Sequence, residues 1–155
     1  MKILYIAHRI PYPPDKGDKI RAYYQIKHLA TEHEVHLACL VDDPADLRHV
    51  STLQECCASV TFAYRGRLQT LALAGLALFS NKPLTAASFY SRSLNKRIAQ
   101  SIRREKFDAI VAYSSAVAGY VLHVSEIPKI MDFIDVDSAK WEHYAELCRF
   151  PMSWI

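Results

Sequence analysis

Short runs of uninterrupted apolar residues alternate along this chain with longer stretches in which apolar residues recur every third or fourth position. Residues 3–7 (ILYIA) and 35–41 (VHLACLV) read as buried strands, 60–64 as a third, 107–113 as a fourth and 129–134 as a fifth. Between the first two, residues 18–33 keep Ala22, Tyr23, Ile26, Leu29 and Ala30 on one face of a predicted helix. Residues 46–58 and 115–124 are predicted as further helices. Two more helical stretches lie between Arg65 and Lys106, split around Asn81-Lys82-Pro83. The second, 93–105, sets Leu94, Ile98 and Ile102 against Lys96, Arg97, Arg103 and Arg104. Strands that are apolar throughout and separated by helices predict a parallel sheet with helices on both faces, an α/β fold of Rossmann-like type.

In such a sheet every strand ends at the same edge, and ligands bind there where the strand order reverses. The first strand is followed by His8, Arg9 and the loop PPDKGDK, the second by Asp42 and Asp43, and the third by Arg65. Ser114 and Ser115 follow the fourth; Asp135, Asp137, Ser138 and Lys140 follow the fifth. Loops are polar in any protein, which accounts for part of this collection, but the rim as a whole carries side chains able to bind a polar ligand.

Composition narrows the classes. The chain has 155 residues, enough for one domain with a core and too few for two ordinary ones. Hydrophobic residues make up 51% and charged residues 23%, a globular balance, and the formal net charge is only +3. That is far from the basic stripe of a dedicated nucleic-acid binder, so no nucleic-acid partner is expected. Cys39, Cys56, Cys57 and Cys148 follow no CxxC or CxxH spacing, and reduced thiols of a cytosolic protein are expected. No His, Asp and Cys set has metal-ligand spacing, so neither a metal nor a cofactor is called for. The short apolar start, broken by charged and proline-rich sequence, is not a signal peptide. The run at 68–79 falls short of the ~20 residues that span a bilayer. It reads either as a buried or amphipathic helix or as one lying on a membrane surface, with Arg65, Arg67 and Lys82 nearby.

The loop after the first strand fits none of the named phosphate motifs. The chain has four glycines, Gly17, Gly66, Gly75 and Gly119, so neither GxGxxG nor GxxxxGK[ST] is present. A nicotinamide dehydrogenase or a P-loop NTPase is thereby disfavoured. What remains is Gly17, flanked by Lys16, Lys19 and Arg21, on an approach stiffened by Pro11, Pro13 and Pro14. Asp18 is the natural N-cap of the following helix. A structural turn accounts for Gly17 and Asp18; the preferred reading adds a diphosphate contact through the loop amides and Arg21.

A second constellation is MDFIDVDSAKWEHYAE, residues 131–146. Asp132 lies inside an apolar strand, where a carboxylate is costly unless paired or hydrogen-bonded. Asp135 and Asp137 follow before Ser138 opens an amphipathic helix with Trp141 and Tyr144. Carboxylates at a strand end can orient sugar hydroxyls, take a proton or hold a metal. Helix capping suits Asp137 and ligand contact suits Asp135.

RIPYPPDKGDKIRAYYQIKHLA, then VHLACLVDDPAD and MDFIDVDSAKWEHYAE, resemble the N-terminal domain of family 4-type glycosyltransferases, in particular the sugar transferases associated with exopolysaccharide and PEP-CTERM/exosortase gene clusters. The resemblance covers essentially the whole chain. It implies the N-terminal, acceptor-side half of a GT-B enzyme: a Rossmann-like domain facing a second one that binds the nucleotide-sugar donor. By that resemblance Gly17, Asp18 and Arg21 lie near the donor diphosphate. Ser114, Ser115, Asp137 and Lys140 contact the acceptor, and Asp135 is the candidate catalytic contact to its hydroxyl. The implied co-substrate is a nucleotide sugar, and the acceptor a glycan or a polyprenyl-linked sugar, which gives 68–79 a reason to touch the inner face of the cell membrane. Two positions depart from the family pattern. Asp18 stands where many members have a second glycine, and Ser114 and Ser115 where many have a histidine.

Residues 1–155 are therefore expected to be one truncated acceptor-side domain without its donor-binding partner domain, inactive alone for want of half the transition-state contacts. Two other classes compete. One is a non-catalytic nucleotide- or phosphate-binding module; the other is a membrane-docking module using 68–79 and the basic helix at 93–105.

Overall fold

The computed structural model describes residues 1–66 and 89–134. Its centre is a five-stranded sheet, all parallel, in the order β3-β2-β1-β4-β5. The strands are β1 (Lys2–Ala7), β2 (Glu34–Val41), β3 (Ser59–Tyr64), β4 (Ala109–Tyr113) and β5 (Lys129–Asp132). All five predicted strands are present; β1, β2 and β4 are buried on both faces, as runs apolar throughout require, while the edge strand β5 is shorter than predicted and largely exposed.

Alternation along each strand divides the interior into two cores. Ile3, Tyr5, Val35, Leu37, Cys39, Val111 and Tyr113 face α1 (Gly17–Leu29), which inserts Ala22 and Ile26, and α2 (Val50–Gln54), which inserts Leu53. Leu4, Ile6, Ala38, Leu40, Ile110 and Ala112 face α3 (Arg92–Arg104), which inserts Leu94 and Ile98. Val117 and Tyr120, from the 3-10 segment Ser115–Tyr120, complete that second side. Ile26, Leu53 and Leu94 are fully buried, each a contribution of about 1.5–3 kcal/mol before entropy is counted.

Several helix expectations are corrected. The predicted 18–33 helix is Gly17–Leu29, and its N-cap is Lys16, in extended conformation and without a side-chain cap bond. Asp18 is not the cap: it sits in the first turn, and its carboxylate is drawn to His8 and Arg9 instead. The predicted 46–58 helix is a 3-10 segment, Pro44–His49, capped by Asp43, followed by the single short turn of α2. The predicted 115–124 helix is also 3-10, closing at Tyr120. Phe107 lies outside β4, its ring edge-on to His36 with centroids 5.2 Å apart. The predicted 93–105 helix is α3, Arg92–Arg104, whereas the expectations at 68–79 and from Ser138 onward fall outside the described residues.

Buried polar links tie α1 to its neighbours on either hand along one face of the sheet. The Lys19 side chain is only 4% exposed, and its ammonium pairs with Asp46 at 2.9 Å. On the other flank of the helix the Tyr113 hydroxyl donates to the Asp18 carbonyl at 2.8 Å. Cys39, Cys56 and Cys57 are free thiols, with Cys56 and Cys57 Sγ atoms 4.0 Å apart, about twice a disulfide bond length. Among the described residues no helix is long and apolar enough to cross a membrane.

Candidate functional site at the reversal of strand order

β1, β2 and β3 step one way across the sheet and β4 and β5 the other, so the order reverses between β1 and β4. The loops that leave those two strands lie at the carboxyl edge, at the crevice position where open α/β sheets bind ligands. His8 and Arg9 leave β1 here, and Ser114 leaves β4.

His8 Nε2 lies 3.1 Å from an Asp18 carboxylate oxygen. A carboxylate only accepts, so the proton of the neutral ring is assigned to Nε2. Nδ1 is buried and makes no hydrogen bond of ordinary geometry. The ring is stacked with Tyr113 at 6.0 Å and edge-on to Phe89 at 5.1 Å. Burial pulls the His8 pKa below its ordinary value, the Arg9 charge pulls the same way, and Asp18 and the Tyr113 backbone oppose them. Burial by itself would push the Asp18 carboxyl up, but His8, Arg9 and the Lys19 backbone N–H together hold it below the usual carboxylate range.

The Arg9 guanidinium stands over the Phe89 ring, 5.6 Å from its centroid. It faces two carboxylates without hydrogen-bonding either: Nη1 is 3.8 Å from Asp18 and Nε is 3.9 Å from Asp42. Nε is buried and has no hydrogen-bond partner among the described residues.

Ser114 has φ 89° and ψ 142°, a positive φ in a residue that is not glycine. Such backbone costs on the order of 1–3 kcal/mol and clusters at functional sites. It is held by the Ser114 amide donating to the Asp132 carbonyl at 2.9 Å and by Ser114 Oγ accepting from the Ala116 amide at 3.2 Å.

The sequence-derived candidates divide into three groups. Gly17, Asp18, Ser114 and Ser115 border the crevice, on the first turn of α1 and at the exit of β4. Gly17 has no positive φ, and a Cβ built on it meets nothing within 4 Å. Neither backbone nor described packing therefore demands a glycine there. Arg21 is engaged elsewhere: its Nη2 donates to both Asp132 oxygens, at 2.8 and 3.0 Å, with Gln25 Nε2 donating to the same carboxylate at 2.8 Å. This is the pairing that an aspartate inside an apolar strand requires. Asp135, Asp137 and Lys140 lie outside the described residues.

The His8–Asp18 pair, the Arg9 setting and Phe89 were not legible as a unit. A histidine directly after the first strand, with an aspartate opening the next helix, is the signal that could have raised the pair. Beside Asp132, an open groove of about 410 Å³ is lined by Tyr5, Gln25, Leu29, Val111, Met131 and Phe133.

A second titratable cluster sits at the opposite edge of the sheet. Glu34, His36 and Glu105 bring three ligand-type atoms within 4.8 Å of one another, a grouping the spacing along the chain did not reveal. The Lys2 ammonium, 3.2 Å from Glu34 and 3.0 Å from Glu105, already supplies the positive charge there. The cluster reads as a structural network closing β1, β2 and the end of α3.

No known family, curated protein or solved structure matches the chain.

Proposed function

We propose that this chain is the acceptor-side α/β half of a glycosyltransferase. In this reading it serves exopolysaccharide synthesis, with a sugar moving from a nucleoside-diphosphate sugar to a glycan or lipid-linked acceptor. The observation that carries the reading is Gly17, a glycine that neither φ nor any described neighbour requires, at the mouth of the crevice where the strand order reverses. A glycine with open space above it leaves room for a ligand or a facing domain to approach the backbone. The loop from His8 to Gly17 and the Asp42-Asp43 turn, the described parts of the resembling blocks that leave strand ends, lie at this same edge and support the reading.

In this reading a second α/β domain grips the nucleotide sugar, and the crevice holds the acceptor so that its hydroxyl meets the sugar in the right geometry, the entropic part of catalysis. Ser114 and Ser115, with Asp135, Asp137 and Lys140, supply polar contacts to the acceptor, and Asp135 is the group set to its reacting hydroxyl. The enzyme works at the cytoplasmic face of the membrane.

The test compares Gly17→Ala with Gly17→Trp in sugar transfer by the full reading frame, using labelled nucleotide sugars and a lipid-linked acceptor extract. Alanine should fold and retain transfer, since its Cβ has space. Tryptophan should fold with the same circular dichroism and lose at least tenfold in rate. Equal rates for both variants would remove the first loop from the cleft, and no transfer with any donor would remove the enzyme reading.

One observation favours a second reading, a docking module for anionic surfaces. Arg92, Lys96, Arg97, Arg103 and Arg104 are all exposed along α3. Salt-sensitive binding to anionic vesicles, with no affinity for nucleotide sugars, would select it.

A further inference from the structure

The cluster of Arg9, Asp18 and Asp42 has a charge balance that limits what the crevice can hold. Their side chains are 28%, 23% and 44% exposed; Arg9 Nε is buried, so the guanidinium meets solvent elsewhere than at Nε. One guanidinium is matched by two carboxylates, at 3.8 and 3.9 Å. These gaps are too long for hydrogen bonds, so the guanidinium keeps donor capacity and the carboxylates keep acceptor capacity.

A ligand hydroxyl is complementary to this arrangement because it donates and accepts at once. An oxygen about 2.9 Å from each of two atoms separated by such a gap needs neither of them to move. It would take a hydrogen bond from Arg9 and give one to Asp18 or Asp42. A phosphate group has only acceptors to offer. It would find Arg9 already neutralised and would lie against two like charges, the arrangement that specificity uses to turn a ligand away. Asp18 also accepts from His8 Nε2 at 3.1 Å, so it is fixed in place.

We infer that Asp18 sets the charge preference of the crevice, making with Arg9 and Asp42 a subsite for an uncharged, hydroxyl-bearing group such as a sugar ring and excluding phosphate. The inference rests on the sugar-transfer reading only for the choice of saccharides as probes. It also parts from the expectation that the first turn of α1 meets a diphosphate: the carboxylate of Asp18 stands beside the cation such a group would need.

The test is a heteronuclear NMR titration of the 155-residue chain with methyl α-glucoside, methyl α-mannoside and, separately, pyrophosphate. The glycosides should shift the amide signals of Arg9, Asp18 and Asp42, and pyrophosphate should leave them in place. In Asp18→Asn, pyrophosphate should bind about tenfold more tightly than to wild type and the glycosides more weakly. Asp42→Asn, on the more exposed carboxylate, should change both affinities in the same directions and serves if the first variant loses its native spectrum. Pyrophosphate binding to the wild-type cluster, or no glycoside shift at these residues, overturns the inference. Glycoside shifts that persist in a protein without sugar transfer would remove the enzyme reading and leave the subsite standing.

Discussion

The link between α1 and β5 makes a quantitative prediction, because it joins residues 111 positions apart through one carboxylate. Asp132 is 16% exposed and accepts from Arg21 Nη2 and Gln25 Nε2, while Gln25 in turn accepts from the Tyr5 hydroxyl at 2.7 Å. Asp132→Ala removes the acceptor of both donors and leaves Gln25 half-satisfied beside a buried tyrosine, a loss of about 2–3 kcal/mol. Arg21 is 49% exposed, so its own share of the link is screened by water. Arg21→Ala should therefore cost no more than about 1 kcal/mol. The double variant should recover part of the sum, giving a coupling energy of about 0.5–1 kcal/mol that shrinks at high salt. Urea unfolding followed by circular dichroism measures all four corners of the cycle. A coupling indistinguishable from zero, together with a neutral Asp132→Ala, would refute the reasoning and leave Arg21 available for a ligand.

The sheet was legible because its strands are apolar on both faces, and that pattern survives any detail of the loops. Ile3–Ala7 and 35–41 needed no partner to be recognised. Where tertiary contacts decide, local pattern misled. Asp18 has the chemistry of a cap, but His8 and Arg9 pull its carboxylate away, and Lys16 precedes the helix without any cap bond. Residues 44–58 have helical spacing at Leu47, Val50 and Leu53, yet the Asp43 side chain and Pro44 set a 3-10 start and the chain must be back in the sheet by Ser59. Asp132 shows the limit most plainly. That it needed a partner followed from the cost of a carboxylate in an apolar strand; that the partners were Arg21 and Gln25 did not, because only the packing of α1 against β5 brings them together. The rim was foreseen as a collection of polar loop ends. The division within it, Asp18 beside His8 and Arg9 and Arg21 turned to Asp132, is a matter of which face of α1 Asp18 and Arg21 occupy.

Two further predictions bear on the crevice itself. Because burial holds the native His8 pKa below 6.5, the unfolded chain takes up that proton first as pH falls, so stability rises with pH through the window just below 6.5 and is lost on acidification. Urea midpoints at about pH 7 and about pH 5.5 should drop in wild type and drop less in His8→Gln; equal slopes would mean that His8 is not held neutral by its surroundings. Ser114 tests whether the backbone at the exit of β4 is strained. Both Ser114→Ala and Ser114→Gly lose the hydroxyl that accepts from Ala116, so that bond cancels in their comparison. What differs is the positive φ, which alanine pays for and glycine does not, set against about 0.4–1 kcal/mol of extra unfolded-state freedom for glycine. Ser114→Gly should therefore unfold at higher urea than Ser114→Ala, by about 1 kcal/mol. The reverse order would show that φ 89° at this position stores no strain.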